Sequence, residues 1–152
     1  MALDRREMLL ARLVGIAQSI PGIKSVYRNQ AQISERQRPA IVVIDGHEEG
    51  ALGSFALGRP LASPGIMRLL PEIYIMVGTS AAAIGSDINA FRLALLPAVL
   101  TDPELQDLIG TTGGIEYQGC VTDLGRGETT EGFMQLHFAL HYALKLSEIS
   151  EG

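Results

Sequence analysis

The chain has 152 residues with a single cysteine, and its 12 Lys and Arg residues against 17 Asp and Glu residues give a net charge of −5. This length predicts one domain over residues 1–152, which can bury a core without disulfides or a structural metal. The acidic balance argues against general binding to nucleic acid or to an anionic membrane. The longest apolar stretches fall far short of the roughly 20 residues of a membrane helix, so we expect a soluble protein with no membrane partner.

The first predicted element is a helix over about residues 4–20. Asp4, followed three residues later by Glu7, matches a capping box, and Pro21 with Gly22 ends the helix. Apolar residues recur at helical spacing, at Leu9, Leu13, Ile16 and Ile20. A short strand is expected near residues 23–28.

Residues 40–44, Ala-Ile-Val-Val-Ile, predict a central strand covered on both faces and ending at the turn residues Asp45 and Gly46. Residues 47–65 are rich in Gly, Ala, Ser, Pro and charge, which predicts a long loop. Residues 66–77 predict another strand, with Ile73, Ile75 and Val77 on one side and Tyr74 and Met76 on the other. Because proline cannot donate to a ladder, Pro71 should mark a bulge or an edge position.

A second helix is predicted from the apolar spacing of Ile84, Ile88, Phe91, Leu95 and Val99. Ser80 or Ser86 is the expected cap, and Pro97 should bend or end this helix. Asp102 and Pro103 then begin a short helix that runs to Gly110.

The C-terminal part predicts a long β-hairpin from alternating residues 115–121 and 133–146, with a polar tip at 123–132. Fourteen extended residues span about 46 Å at ~3.3 Å each, and a compact domain of this size is about 40 Å across. The last strand should therefore curve or project, and a projecting hairpin favours pairing with another chain. The expected fold is α/β (α+β): a mixed, mostly antiparallel sheet with two to three helices packed on it.

A search for reactive groups predicts no catalytic residues, no cofactor and no metal. Cys120 lies inside a predicted strand, away from any helix N-terminus that would activate it. His137 and His141 lie on one strand face about 13 Å apart, too far to share one ion. Sheet-face histidines are therefore the simpler interpretation.

The charges are unevenly distributed along the chain. Residues 1–38 hold seven basic and three acidic residues, a net of +4, whereas residues 39–152 hold five basic and fourteen acidic residues, a net of −9. A solvated helix face explains part of this asymmetry. The alternative is complementary surfaces on neighbouring copies in a head-to-tail ring, in which case salt, or charge reversal at Arg36 and Arg38, should weaken assembly.

Six phrases in this order carry a family resemblance: Ile-Pro-Gly at 20–22, Arg-Pro-Ala-Ile-Val-Val-Ile-Asp-Gly-His-Glu at 38–48, Pro-Glu-Ile-Tyr-Ile at 71–75, Asp-Ile-Asn-Ala-Phe-Arg at 87–92, Asp-Pro-Glu-Leu at 102–105 and Ile-Glu-Tyr-Gln-Gly at 115–119. With the final long strand, the series resembles the tail terminator, or tail-completion, proteins of long-tailed bacteriophages. The resemblance implies a non-enzymatic virion protein at the head-proximal end of the tail, present in the host cytoplasm during assembly. It also implies a hexameric ring that caps the tail tube, ends its polymerisation and meets the head completion or connector protein.

The predicted interface residues come from the loops and not from a family motif. Arg126 is the sharpest of them, because its glycine neighbours allow a tight turn and its guanidinium can bind a carboxylate of a neighbouring subunit or of the tube in bidentate fashion. The full set is Arg36, Arg38, Arg59, Arg68, Asp123, Arg126 and Glu128.

Two other functions fit the same sequence. The first is a head–tail neck protein or a relative of the tail-tube protein. The second is a small α/β ligand-binding domain or enzyme whose site is formed by residues 47–65.

Overall fold

The computed structural model describes residues 4–30, 32–51, 55–61, 63–78, 83–124 and 131–146. Within these ranges, five strands and three α-helices form the mixed, mostly antiparallel α+β fold that the sequence predicts. The strands are β1 Ser25–Arg28, β2 Ala40–Gly50, β3 Pro64–Gly78, β4 Gly114–Leu124 and β5 Glu131–Lys145. The helices are α1 Arg5–Gln18, α2 Ile84–Leu100 and α3 Pro103–Ile109.

The strands form one sheet in the order β1-β2-β3-β5-β4, in which only β1 and β2 are parallel. All three helices contribute to one apolar core with one face of this sheet. Residues that alternate along β3 and β5, such as Ile73, Ile75, Leu136 and Phe138, are fully buried in that core. The opposite face, which we call the helix-free face, carries no α-helix among the described residues. The connection from β1 to β2, which contains a single turn of 3-10 helix at Glu35–Gln37, lies over part of it through Ile33.

Helix α1 begins close to the predicted position. The Asp4 carboxylate accepts a hydrogen bond from the Arg6 backbone N–H at 3.0 Å, so the predicted N-cap is confirmed. The Glu7 side chain instead accepts from the Arg28 guanidinium at 2.7 Å, which joins α1 to β1.

Strand β2 is longer than predicted, because Asp45 and Gly46 form a bulge and not a turn. These two residues lie opposite the single residue Pro71, and pairing with β3 resumes at His47. The prediction of a bulge at Pro71 is therefore confirmed. Since residues 47–50 belong to β2 and residues 64–65 to β3, the predicted loop over 47–65 is wrong at both ends.

Helix α2 continues through Pro97 to Leu100. The expectation that the helix could end at this proline is therefore wrong. Its N-cap is Ala83, so Ser86 lies inside the helix and does not cap it, while Ser80 falls outside the described residues. In α3 the predicted cap is confirmed, because Asp102 accepts from the Leu105 N–H at 2.8 Å. No single helix in the described ranges is long and apolar enough to cross a membrane; α2 and α3 reach that length only together, across a 49° bend.

Strand β5 is an internal strand and does not project as an isolated ribbon. It pairs with β3 from Lys145 to Glu131 and with β4 along most of that length, so neighbours flank it on both sides. The long hairpin is thus confirmed, but the argument for a partner chain from a projecting strand is wrong. Within the described residues, the two edge strands of the sheet are β1 and β4.

Candidate functional site

The helix-free face of the sheet holds an open apolar concavity of about 680 Å³, which we call the sheet-face groove. Most of its surface is apolar or aromatic, with two glutamine side chains and one arginine at its wall. Its lining residues are Gln30, Gln32, Ile33, Arg38, Ile44, Tyr74, Met76 and Phe133. Contiguous exposed apolar surface of this kind is typical of sites that bind a ligand or another protein.

Aromatic and polar contacts link β3 to β5 at the floor of the groove. The rings of Tyr74 and Phe133 are 5.7 Å apart and tilted. The Glu72 carboxylate accepts hydrogen bonds from the Tyr74 hydroxyl at 3.3 Å and from the Gln135 amide at 2.8 Å. Burial, together with the charge of Glu72, raises the pKa of Tyr74, so this hydroxyl stays protonated as a donor.

Arg38 forms one wall of the groove and fixes the connection that lies over the sheet. Its guanidinium donates to the backbone carbonyl oxygens of Ile33 and Val77, each at 3.2 Å. A predicted interface residue therefore has a structural role, and reversing its charge would remove contacts that hold the fold.

A second exposed apolar feature lies at the far end of the sheet, in residues 55–61 between β2 and β3, which we call the β2–β3 loop. Leu57 is fully exposed and Leu61 is 59% exposed. The ring of Phe55 anchors the loop, because it lies over Gly65 so closely that a Cβ there would be 2.5 Å from the ring. Arg59 is exposed and donates to the Pro64 carbonyl oxygen at 3.3 Å.

The structure divides the predicted interface residues between these two ends of the molecule. Arg59 and Arg68 lie at the loop end, where Arg68 pairs with Glu49 across β2 and β3 at 3.0 Å. Asp123 is exposed and pairs in register with Phe133, so it borders the sheet-face groove. Arg36 and Arg38 lie in the connection over the sheet, at the groove end, and Arg36 is exposed. Arg126 and Glu128 lie outside the described residues.

Ion pairs within the chain account for much of the charge asymmetry along the sequence. Three arginines of the basic N-terminal part bind carboxylates of the acidic remainder: Arg6 with Glu48 at 3.2 Å, Arg12 with Asp102 at 2.6 Å and Arg28 with Asp45 at 2.8 Å. The Arg12 guanidinium holds the pKa of Asp102 below its usual value, and Arg28 does the same for Asp45. These charges are therefore already paired within one copy, which removes much of the basis for salt-dependent assembly.

Candidate reactive groups are dispersed. Among the residues that the structure describes, no group of three His, Cys, Asp or Glu side chains is placed to hold a metal ion. Cys120 is exposed on the edge strand β4. His137 and His141 lie on the helix-free face, paired in register with Glu72 and Arg68.

Sequence reasoning missed most of the groove and the exposed leucines. A signal was present, because Tyr74 and Met76 make the second face of β3 apolar while the first face already supplies the core. The groove is lined by the connection before β2 and by the sheet, and not by residues 47–65, where the alternative ligand site was expected.

No protein-family model matches the chain, and no curated protein matches it. Among solved structures, it is similar to a chain in the virion of a native gene transfer agent particle, at 15% identity and a TM-score of 0.44, covering 91% of this chain and 92% of that chain. It is also similar to the gp17 protein of bacteriophage SPP1, at 15% identity and a TM-score of 0.44, with 88% of each chain covered. One neighbour is thus a virion component and the other a bacteriophage protein. At this identity and TM-score the likeness carries no argument about function.

Proposed function

We propose that this chain is a structural virion protein that assembles into a hexameric ring and caps the tail tube of a long-tailed phage. In this role it ends polymerisation of the tube protein and offers its other surface to the head completion or connector protein. It acts in the host cytoplasm during assembly and stays at the head-proximal end of the tail. The role requires contact surfaces and no reaction chemistry.

One observation carries the proposal: a chain of this size presents an apolar groove at one end of its sheet and the exposed leucines Leu57 and Leu61 at the other. A monomer gains nothing from leaving Leu57 and the groove in water, whereas an assembled protein buries such surfaces. Because the order of elements resembles that of the tail terminators, we expect this assembly to be a hexameric ring.

The experiment is to add the purified chain to the polymerising tube protein encoded with it. We expect six-fold rings in electron micrographs of the chain alone, and tubes of limited length with one ring at a single end in the mixture. Long polymers of the chain by itself would favour a tube-related protein. A monomer that neither forms rings nor limits tube length would contradict the proposal.

The hairpin tip of residues 125–130 is proposed to reach a neighbouring subunit or the tube, with Arg126 binding a carboxylate there. Deleting these residues and closing β4 to β5 with a short turn should leave a folded chain, because the paired strands remain. The deletion should abolish ring assembly or tube capping. A matched variant has six Gly and Ser residues in place of the tip and so keeps its length. It shows whether assembly depends on the length of the tip or on its side chains. If the deleted chain still forms rings and completes tails, the tip is only a connector.

A further inference from the structure

The groove and the exposed leucines lie at opposite ends of the same sheet. We propose that the β2–β3 loop of one copy docks into the sheet-face groove of the next copy, so that subunits join head to tail. This inference rests on the self-assembly that the proposed function requires, and it specifies which two surfaces of neighbouring copies meet. It does not depend on what the ring caps.

One copy cannot fill its own groove. The loop leaves β2 at Gly50 and returns to the sheet at Pro64, whereas the groove residue Ile44 lies six positions before Gly50 and Tyr74 lies ten positions after Pro64. These stretches of strand span about 20 Å and about 33 Å at ~3.3 Å per residue. Because Phe55 packs over Gly50 and Gly65, the loop stays at its own end of the sheet. The occupant must come from another molecule.

The two surfaces match in apolar chemistry and in size. Leu57 and Leu61 project from the loop, while Ile44, Met76 and Phe133 present apolar surface in the groove. A volume of about 680 Å³ lies within the range of clefts that bind drug-sized molecules, which exceed a single leucine side chain in size. Docking would remove both apolar surfaces from water at once.

The charges match as well. Arg59 is the only charged residue in positions 51–63 of the sequence. At the groove, exposed Asp123 lies beside Phe133 in the sheet register. An incoming Arg59 can therefore pair with the Asp123 carboxylate at the rim, which fixes the orientation of docking.

Because the donating and accepting surfaces differ, docking that runs in one direction from copy to copy is a heterologous contact. Repeating such a contact gives a closed ring when the rotation between copies closes, and an open filament when it does not. A reciprocal two-fold dimer, in which each loop enters the other copy's groove, would stop at two copies, so the number of linked copies distinguishes the two arrangements.

Cross-linking tests the contact in the full chain, with Cys120→Ser removing the native thiol. One variant then carries Leu57→Cys and the other Met76→Cys. We expect a disulfide-linked pair only in the mixture of the two, and a ladder of multimers from a chain that carries both substitutions. A dimer from the Leu57→Cys chain alone, no product in the mixture, or dimers as the sole product of the doubly substituted chain would overturn the proposal.

A second measurement uses Leu57→Asp with Leu61→Asp, followed by sedimentation velocity. We expect the dissociation constant for self-association to rise at least tenfold. Leu93→Asp is the matched control, because Leu93 is 74% exposed on α2 and lies outside both surfaces. Equal effects of the loop and control variants would overturn the docking contact.

The outcomes separate this inference from the proposed function. Rings without a loop–groove cross-link would leave the ring standing and overturn the contact. Head-to-tail cross-linking without tube capping would leave the contact standing and contradict the terminator role. A groove variant that keeps its rings but loses the tube would show that the tube protein occupies the groove, which also overturns the contact.

Discussion

Asp102 illustrates how one residue joins a local signal to a long-range contact. Its carboxylate caps α3 by accepting from the Leu105 N–H, and it also binds the Arg12 guanidinium of α1 through both oxygens, at 2.6 and 2.8 Å. It is the only buried acidic residue in the described ranges. The cap is visible in the sequence, whereas the ion pair spans ninety positions of the chain.

Substitution of Asp102 should separate these two contributions. Asp102→Asn keeps a side chain that caps helices but removes the ion pair, so we expect it to lower the free energy of unfolding by about 1–3 kcal/mol. Asp102→Ala also removes the cap and should cost about 1 kcal/mol more. Chemical denaturation measures both. Asp107→Asn, on the exposed side of α3, is the control, and equal effects of Asn and Ala would contradict the capping role.

Acid should destabilise the protein through its paired carboxylates. The hydrogen bonds from Arg12 hold the pKa of Asp102 below its usual 3.8, and those from Arg28 lower the pKa of Asp45. The unfolded chain therefore binds protons more readily than the folded chain, so stability is present above about pH 4 and is lost as the pH falls further. We expect a smaller loss between pH 5 and pH 3 in Asp102→Asn than in the wild type, measured by denaturation at each pH. Parallel curves would show that the Arg12 pair does not contribute.

At the scale of elements, the bulge in β2 allows this strand to continue past Pro71 of β3 as far as Gly50. Asp45 and Gly46 lie opposite Pro71, so one proline without an N–H is accommodated inside an internal strand. Gly46 has a φ of 73°, and a Cβ at this position would lie 2.0 Å from the Leu70 carbonyl oxygen. The bulge therefore requires glycine both for its backbone conformation and for its close approach to β3.

Gly46→Ala should be among the most damaging single substitutions in the chain. The left-handed conformation and the clash with the backbone of β3 together should lower the free energy of unfolding by more than about 3 kcal/mol. Gly85→Ala is the control, because a Cβ there meets no atom within 4 Å and α2 favours alanine by about 0.5–1 kcal/mol. A Gly46→Ala chain with wild-type stability would mean that β2 ends at the bulge in solution.

At the scale of the whole molecule, the helices cover one face of a five-stranded sheet and leave the groove on the other. Three of the seven basic residues in positions 1–38 pair with acidic residues from later in the same copy. In the proposed docking, the surface that one copy offers another is mainly apolar, with a few charges at its rim.

Self-association should accordingly be only weakly sensitive to salt. Screening shortens from ~10 Å at 0.1 M to ~3 Å at 1 M, which weakens exposed charge pairs but not apolar burial. We expect the dissociation constant to change by less than about tenfold over this range, as measured by sedimentation equilibrium. Arg36→Glu, at an exposed position, serves as the charge probe. A hundredfold loss of affinity in high salt would restore the charge-driven assembly that the sequence suggests.

The sequence by itself determined the elements whose signals are local. The cap at Asp4, the start of α3 at Asp102 and the alternation along β5 each depend on hydrogen bonds or side-chain spacing within a few residues. Element types and the mostly antiparallel sheet were therefore predictable from these patterns.

Only the tertiary structure decided which strands become neighbours and which face the helices leave uncovered. The continuation of β2 past Gly46 requires β3 as its partner, and the internal position of β5 depends on pairing with residues more than fifty positions earlier. The sheet-face groove likewise combines side chains from the β1–β2 connection, β2, β3 and β5. Such contacts join distant residues, and the hydrophobic effect that drives them is non-directional, so no local pattern in the sequence specifies which surfaces meet.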